Sequence, residues 1–153
     1  CWLPDLKYAD SSAAARYSDA PDYFEKATAA IEQMFRQTGP YEIDSSGILR
    51  KGVLIRHLIL PGQVENTKKV LEYVAGTFAP GEVLFSLMRQ YVPCGRAAEY
   101  PEINRPITDE EYEECESYME ELGIVDGYVQ QKASSDKMFI PAFDGTGVLK
   151  REE

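Results

Sequence analysis

Arg56, Asp5 and Lys7 are the side chains whose types and positions best fit the binding of a charged ligand. Arg56 lies in the nearly all-apolar run VLIRHLILPG (53–62), where its neighbours leave it little water. A guanidinium in that position either pairs with a buried carboxylate or binds a ligand carboxylate or phosphate through its fixed fork of N–H groups. The sequence leaves both readings open, with Asp5 or Asp144 as the candidate protein partner.

Asp5 and Lys7 lie two positions apart in the opening stretch of the chain, and so share one face of an extended strand. An acid and an amine side by side can hold a polar ligand that carries both an ammonium and a carboxylate group. The alternative is that the two side chains form a structural ion pair with each other.

The other reactive side chains indicate no chemistry of their own. His57 lies on the strand face opposite Arg56, where we expect it to pack under helices, and the chain has no second histidine. Ser86 lacks the GxSxG elbow of a nucleophile, and Cys94 is an isolated loop thiol. The three cysteines have no CxxC or CxxxCxxC spacing, and neither GxGxxG nor a P-loop occurs. We therefore predict no catalytic residue and no metal ligand in this sequence.

The composition is typical of a single globular domain spanning residues 1–153. A net charge of -10 at pH 7 argues against nucleic-acid binding, which needs a basic surface. No apolar run approaches the roughly 20 residues of a membrane helix, so we expect no membrane partner and a cytoplasmic location. Because the chain opens inside its first strand, we also expect it to be a piece of a longer protein.

Strand and helix patterns alternate along residues 1–91. Strands are predicted at 1–8, 53–62 and 83–88, and the long run at 53–62 is expected to be buried on both faces. Amphipathic helices are predicted between Pro21 and Gly39 and at 64–78, with polar loops after the first strand and at 41–51. This βαβαβ order predicts an α/β fold with a parallel sheet.

Residues 92–153 are predicted to form a carboxyl-terminal loop, helix and tail. The loop at 89–107 should cross the strand ends, which places Tyr91 where a ligand would bind. Thr108 and Glu111 form a capping box for a helix that ends at Gly123. A short strand at 127–131 and an extended tail at 139–148 follow.

Five segments, in this order, resemble the carboxyl-terminal half of a radical S-adenosylmethionine protein. They are similar above all to the pyruvate formate-lyase activating enzymes and to an uncharacterised iron-sulfur branch related to them. The segments are LPDLKYA (3–9), ARYSDAPDYF (15–24), VLIRHLILPG (53–62), SLMRQYVP (86–93) and YPEINRPITDEEY (100–112). The resemblance implies that this chain is the parallel βαβαβ portion of an incomplete TIM-like barrel.

Members of that family bind a [4Fe-4S] cluster through a CxxxCxxC motif near the amino terminus, and S-adenosylmethionine chelates the open iron. Reductive cleavage gives a 5′-deoxyadenosyl radical that abstracts hydrogen from a glycine of a partner enzyme. The resemblance therefore implies an oxidoreductase as the full-length parent. Its partner would be a glycyl-radical enzyme or another protein substrate.

The resemblance assigns cofactor binding to four residues. Asp5 and Lys7 correspond to a pair beside the methionyl end of the cofactor, and Arg56 to an arginine that reaches the same ligand from the next strand. Tyr91 falls where the activating enzyme has a histidine. Since no CxxxCxxC occurs in this sequence, we expect neither cofactor to be bound to this chain, and we expect the chain alone to be inactive.

Two other interpretations stay open. The chain is either a non-catalytic α/β module that binds an anionic metabolite at Arg56, or an interaction domain whose loop at 89–107 docks a protein partner. As half a barrel, the chain would also leave an open sheet edge at residues 3–8, and we expect copies to associate there.

Overall fold

The computed structural model describes residues 1–129, without the side chains of the last two. Within them the chain forms a mixed α/β structure with four α-helices and a small parallel sheet. The helices are α1 (Ser11–Ser18), α2 (Tyr23–Thr38), α3 (Val64–Thr77) and α4 (Asp109–Glu121). The strands are β1 (Glu42–Ile43), β2 (Leu49–Lys51), β3 (Leu54–Leu58), β4 (Leu84–Met88) and β5 (Gly127–Val129).

The main sheet has the order β3-β4-β5, and both neighbouring pairs are parallel. The helix α3 connects β3 to β4, and α4 connects β4 to β5, so the parallel sheet predicted from the apolar pattern is confirmed. In the register of the sheet, Arg56 lies opposite Ser86. Ser86 lies opposite Tyr128 on the other side.

Residues 1–8, here called the amino-terminal segment, run parallel to β3 as a fourth extended piece. Isolated bridges join Trp2 to Val53 and Asp5 to Arg56, where the sequence predicted a continuous strand. Pro4 explains the difference, because a proline has no N–H to donate at a position whose carbonyl accepts from Arg56 N–H at 2.9 Å.

The helices α2, α3 and α4 cover one face of the sheet. On that face, fully buried residues of the strands pack with α3 and α4 in the main apolar cluster, whose members include Ile55, Phe85, Leu87, Leu71 and Cys115. Each large apolar side chain buried in this way contributes about 1.5–3 kcal/mol of transfer free energy. The helices and strands are therefore held together from this side of the sheet.

The opposite face of β3 is only partly buried. Leu54, Arg56 and Leu58 are half-exposed, alternating with buried neighbours. The prediction that the run at 53–62 is buried on both faces is therefore wrong for β3, although residues 84–87 of β4 are buried on both. In the described residues, helices pack on only one face of β3, so its other face stays partly open to solvent.

A helix and a β-hairpin form where the sequence predicted loops. The helix α1 follows Asp10, whose carboxylate accepts hydrogen bonds from Ser12 N–H at 2.8 Å and Ala13 N–H at 3.3 Å. The strands β1 and β2 form an antiparallel hairpin within 41–51. Its turn is held by Asp44, which accepts from Ser46 N–H at 2.8 Å.

The carboxyl-terminal part follows the predicted order as far as it is described. The capping box at the start of α4 is confirmed by both of its hydrogen bonds, and Gly123 ends the helix with a φ of 74°. The 89–107 loop contains one short 3-10 helix (Gly95–Glu99). The end of the predicted strand at 127–131 and the tail at 139–148 lie outside the described residues. Among helices α1 to α4, none is long and apolar enough to cross a membrane.

Candidate functional site

A row of polar side chains crosses the sheet on the face opposite the main apolar cluster. Asp5 pairs with Arg56 across the first parallel junction, and Arg56 pairs with Ser86 across the next. Residues paired in this way lie at one level of the sheet and point to the same side. We call Asp5, Arg56 and Ser86 the polar row.

Asp5 and Arg56 form an ion pair, with 2.8 Å between Arg56 Nη2 and Asp5 Oδ1. Their side chains are 38% and 40% exposed, so a dissolved ligand can reach both charges. The Nε atom of Arg56 is buried and has no hydrogen-bond partner within residues 1–129. A buried donor without an acceptor is uncommon in folded proteins.

Within the described residues, the protein partner of Arg56 is therefore Asp5. Asp144, the other candidate, lies outside them. The alternative of an ion pair between Asp5 and Lys7 is wrong, because the carboxylate of Asp5 contacts the guanidinium from β3 instead.

Lys7 is exposed, and no ion pair of its ammonium group occurs within residues 1–129. Its backbone is firmly held. Lys7 N–H donates to the hydroxyl of Tyr23 at 3.0 Å, and its carbonyl accepts from the side-chain amide of Asn66 at 3.0 Å. The ammonium is therefore presented on a fixed backbone, two residues beyond Asp5.

Tyr91 follows β4 at the carboxyl end of the sheet, as predicted. Its hydroxyl donates a hydrogen bond to the backbone carbonyl of Ile103 at 2.9 Å, which ties two parts of the 89–107 loop together. Burial raises the pKa of this phenol above its usual value. The structure thus shows Tyr91 holding the loop, and its part in ligand binding stays a prediction.

His57 lies on the helix-covered face, as expected from its position next to Arg56. The ring is fully buried, with Nδ1 at 2.7 Å from the carbonyl oxygen of Leu6 and Nε2 at 2.9 Å from the hydroxyl of Thr67. Burial lowers the pKa of the imidazole to about 4. His57 therefore anchors the amino-terminal segment from the helix-covered face of the sheet.

Asn66, on α3, is a second anchor that sequence reasoning missed. Its side-chain carbonyl accepts from Ala9 N–H at 2.8 Å and Asp10 N–H at 3.1 Å, while its amide donates to Lys7. The side chain is 4% exposed. A buried polar residue on the apolar face of a predicted helix was the available signal.

Glu111 ties the loop to the end of β3. Its carboxylate accepts from Gly62 N–H at 2.7 Å and from Thr108 N–H at 2.9 Å, and it pairs with both terminal nitrogens of Arg105. The guanidinium, followed by these backbone donors, lowers the pKa of the carboxyl to about 2. The capping residue of α4 thus also positions the Pro-Gly turn after β3.

Residues 1–129 contain no group of three or more His, Cys, Asp or Glu side chains that could hold a metal ion. Cys1 and Cys94 are exposed, and Cys115 is buried in the apolar cluster. Burial raises the pKa of the Cys115 thiol to about 11, which disfavours the thiolate that metals bind. This donor set does not fit an iron-sulfur cluster.

Comparison with known proteins gives one distant likeness. No family model matches the sequence. No solved structure matches it either. An uncharacterised protein of the archaeon Methanocaldococcus jannaschii is 28% identical over 117 residues, a match that covers 74% of this chain and 29% of the relative. This chain is therefore similar to less than a third of a longer archaeal protein.

Proposed function

We propose that this chain is the carboxyl-terminal part of a radical S-adenosylmethionine enzyme of the pyruvate formate-lyase activating type. In this proposal the sheet is part of an incomplete TIM-like barrel, and the polar row binds the methionyl end of the cofactor in the full-length parent. The observation that carries the proposal is the Asp5–Arg56 ion pair between neighbouring parallel segments. The resemblance of five ordered segments supports it.

The chemistry of the polar row suits an amino-acid group. The methionyl end carries an ammonium and a carboxylate, so Asp5 would accept from the ammonium while Arg56 donates to the carboxylate. If the ligand carboxylate replaced Asp5 at Arg56 while Asp5 bound the ligand ammonium, two ion pairs would stand where there is now one. Lys7, two residues beyond Asp5, would supply a second cation.

Residues 1–129 contain no group of side chains that fits an iron-sulfur cluster, so its ligands would come from another part of the parent. S-adenosylmethionine supplies the hydrogen-abstracting chemistry when it is bound in the parent. The residues of this chain bind and orient its amino-acid end. For the same reason, the chain alone is expected to produce no 5′-deoxyadenosine.

The test uses a polypeptide that extends upstream of Cys1. The proposal expects a CxxxCxxC motif there and, after cluster reconstitution, formation of 5′-deoxyadenosine. Arg56→Met should raise the KM for S-adenosylmethionine about tenfold or more, since it removes a charge-assisted pair. Arg50→Met is the matched control, because Arg50 pairs with Asp44 on the hairpin. An upstream sequence without the motif, or equal KM values, would contradict the proposal.

A binding module without chemistry is the second candidate, and the partly exposed guanidinium of Arg56 favours it. Such a module would bind simple carboxylates or phosphates to the chain itself. Asp5→Asn separates the two functions. It removes a competitor for Arg56 and should strengthen binding of a simple anion, whereas it should weaken binding of a ligand with an ammonium group.

A further inference from the structure

The hydroxyl of Tyr23, the first residue of α2, joins the backbones of Asp5 and Lys7. It accepts from Lys7 N–H at 3.0 Å and donates to the carbonyl of Asp5 at 2.8 Å. A residue of a neighbouring parallel strand bonds to residues i and i+2 in the same way. One side-chain oxygen therefore holds the residues on both sides of Leu6 in an extended conformation.

The ring of Tyr23 is held independently of its hydroxyl. It packs against the main apolar cluster and against a smaller cluster of Tyr8, Ala13 and Ala14. The rings of Tyr23 and Tyr8 meet edge to face, with 5.4 Å between their centroids, and the Tyr8 hydroxyl lies 3.0 Å from that of Ser18. Loss of the Tyr23 hydroxyl alone would therefore leave the packing of the ring in place.

A tight turn between α1 and α2 directs Tyr23 back onto residues 5–8. Asp19 follows α1 with a φ of 51°, and it is the only residue other than glycine with a positive φ within residues 1–129. Few residues with a side chain adopt this left-handed conformation, and Asp is among those that tolerate it. Tyr23 N–H then donates to the carbonyl of Ala20 at 3.0 Å. The turn thus fixes where α2 begins relative to the amino-terminal segment.

The two hydrogen bonds of the Tyr23 hydroxyl contribute little to the stability of the fold. Asp5 and Lys7 are exposed residues, so water can replace the hydroxyl at both backbone groups. Leu6, between them, is held without Tyr23, since its N–H donates to the carbonyl of Arg56 at 2.9 Å. The effect of the hydroxyl is therefore local, on the order of residues 5–7.

The order of residues 5–7 sets where two charges of the site are presented. Side chains two positions apart on a strand share one face and lie about 6.5 Å apart. The short side chain of Asp5 carries any backbone shift directly to its carboxylate, whereas the long, flexible stem of Lys7 can compensate for one. Arg56 is held separately, by the parallel pairing of β3 with β4. The Asp5 carboxylate is thus the group most sensitive to the Tyr23 hydroxyl.

We propose that Tyr23 is a positioning residue that makes the polar row selective for a ligand with an ammonium group beside its carboxylate. Its hydroxyl holds Asp5 where the carboxylate can accept from the ammonium while Arg56 donates to the ligand carboxylate. A site that is ordered before binding loses less conformational entropy when the ligand arrives. The inference rests on the proposed function, because it concerns the same amino-acid end of S-adenosylmethionine.

Hydrogen exchange of this chain tests the first step without any ligand. Tyr23→Phe keeps the ring and removes the hydroxyl, so the Lys7 amide should exchange about tenfold faster or more, while the Leu6 amide keeps its rate. Tyr118→Phe is the matched control, because the Tyr118 hydroxyl joins α4 to Glu72 of α3 at 2.7 Å. Both variants should unfold at nearly the midpoint of the unsubstituted chain. A Lys7 amide that exchanges at its original rate in Tyr23→Phe would overturn the proposal.

Ligand binding is measured on the polypeptide that extends upstream of Cys1. L-Methionine and 4-(methylthio)butanoate are the probes, because they differ only in the ammonium group. Tyr23→Phe should raise the dissociation constant of methionine about fivefold or more and that of the analogue by less than about twofold, whereas Tyr118→Phe should change neither. A general loosening of the fold would instead weaken the binding of both probes alike.

Arg56→Met separates this proposal from the proposed function. The positioning role is wrong, and the polar row remains the site, if Arg56→Met weakens methionine binding while Tyr23→Phe does not. The same holds if Tyr23→Phe weakens the binding of both probes equally. A polypeptide that binds no methionine, or one in which neither substitution changes binding, would overturn both proposals.

Discussion

The Nδ1 atom of His57 lies 2.7 Å from the carbonyl oxygen of Leu6. Because a carbonyl oxygen can only accept, the proton of the neutral imidazole is on Nδ1, and Nε2 accepts from the hydroxyl of Thr67. One tautomer therefore joins the amino-terminal segment, β3 and α3. Each partner in this chain of hydrogen bonds is buried.

Stability should fall as the pH drops through the weakly acidic range. The folded pKa of His57 is about 4, below its ordinary 6.5, so the unfolded chain takes up a proton first. Full stability is present above about pH 6.5, and about 3 kcal/mol is lost by about pH 4. Urea unfolding at several pH values measures the loss, and His57→Gln should remove it. A folded-state titration near 6.5, followed by NMR of the single histidine, would contradict this account.

Thr67→Val should destabilise the fold by about 1–3 kcal/mol, because it leaves the buried Nε2 of His57 without a donor. The change keeps the volume of the side chain, so the loss reports the hydrogen bonds of the hydroxyl, of which the bond to His57 at 2.9 Å is shorter than the one to the carbonyl of Gln63 at 3.5 Å. Thr38→Val is the control, since the Thr38 hydroxyl bonds only to backbone carbonyls at the end of α2. Equal unfolding midpoints for the two variants would count against the role of Thr67.

Asn66→Ala should make the backbone of residues 7–10 more mobile. It removes three hydrogen bonds to backbone groups and should cost about 2–4 kcal/mol, with much faster hydrogen exchange at Ala9 and Asp10. Asn104→Ala, at an exposed position of the loop, should change neither quantity. Unchanged hydrogen exchange at Ala9 and Asp10 in the Asn66 variant would show that another group holds this part of the backbone.

Glu111→Gln should destabilise the chain by about 1–3 kcal/mol at neutral pH, because it removes the ion pair with Arg105. The folded pKa of Glu111 is about 2, below its ordinary 4.5. Its contribution is therefore present above about pH 4.5 and lost as the pH falls through about 2, where variant and parent should converge. Glu113→Gln, exposed on the same helix, is the control. A difference that persists at the lowest pH would contradict the assignment.

The long elements could be predicted because their signals are local. The apolar run of β3, the periodicity of α3 and the capping box of α4 each depend on residues close in sequence. The helix α1 was missed because it is eight residues long and gains its stability from Asp10 and from burial of Ala13 and Ala14 against distant side chains.

The site was only partly predictable for a related reason. The residue types of Asp5 and Arg56 were informative, but their pairing depends on the register between two parallel segments, which no local pattern specifies. Asn66 shows the same limit, since its partners lie more than fifty positions away in sequence. The polar row and its anchors therefore required the three-dimensional structure.

The amino-terminal segment has a consequence for proteolysis. A protease that trims the first six residues would remove the counter-ion of Arg56 and the carbonyl that fixes the His57 ring in a single cut. It would also leave β3 as an open edge strand, since the backbone groups of Trp2 and Leu6 bond to β3 in the intact chain. Residues 1–6 thus determine at once the charge balance at Arg56, the orientation of the His57 ring and the protection of the edge of β3.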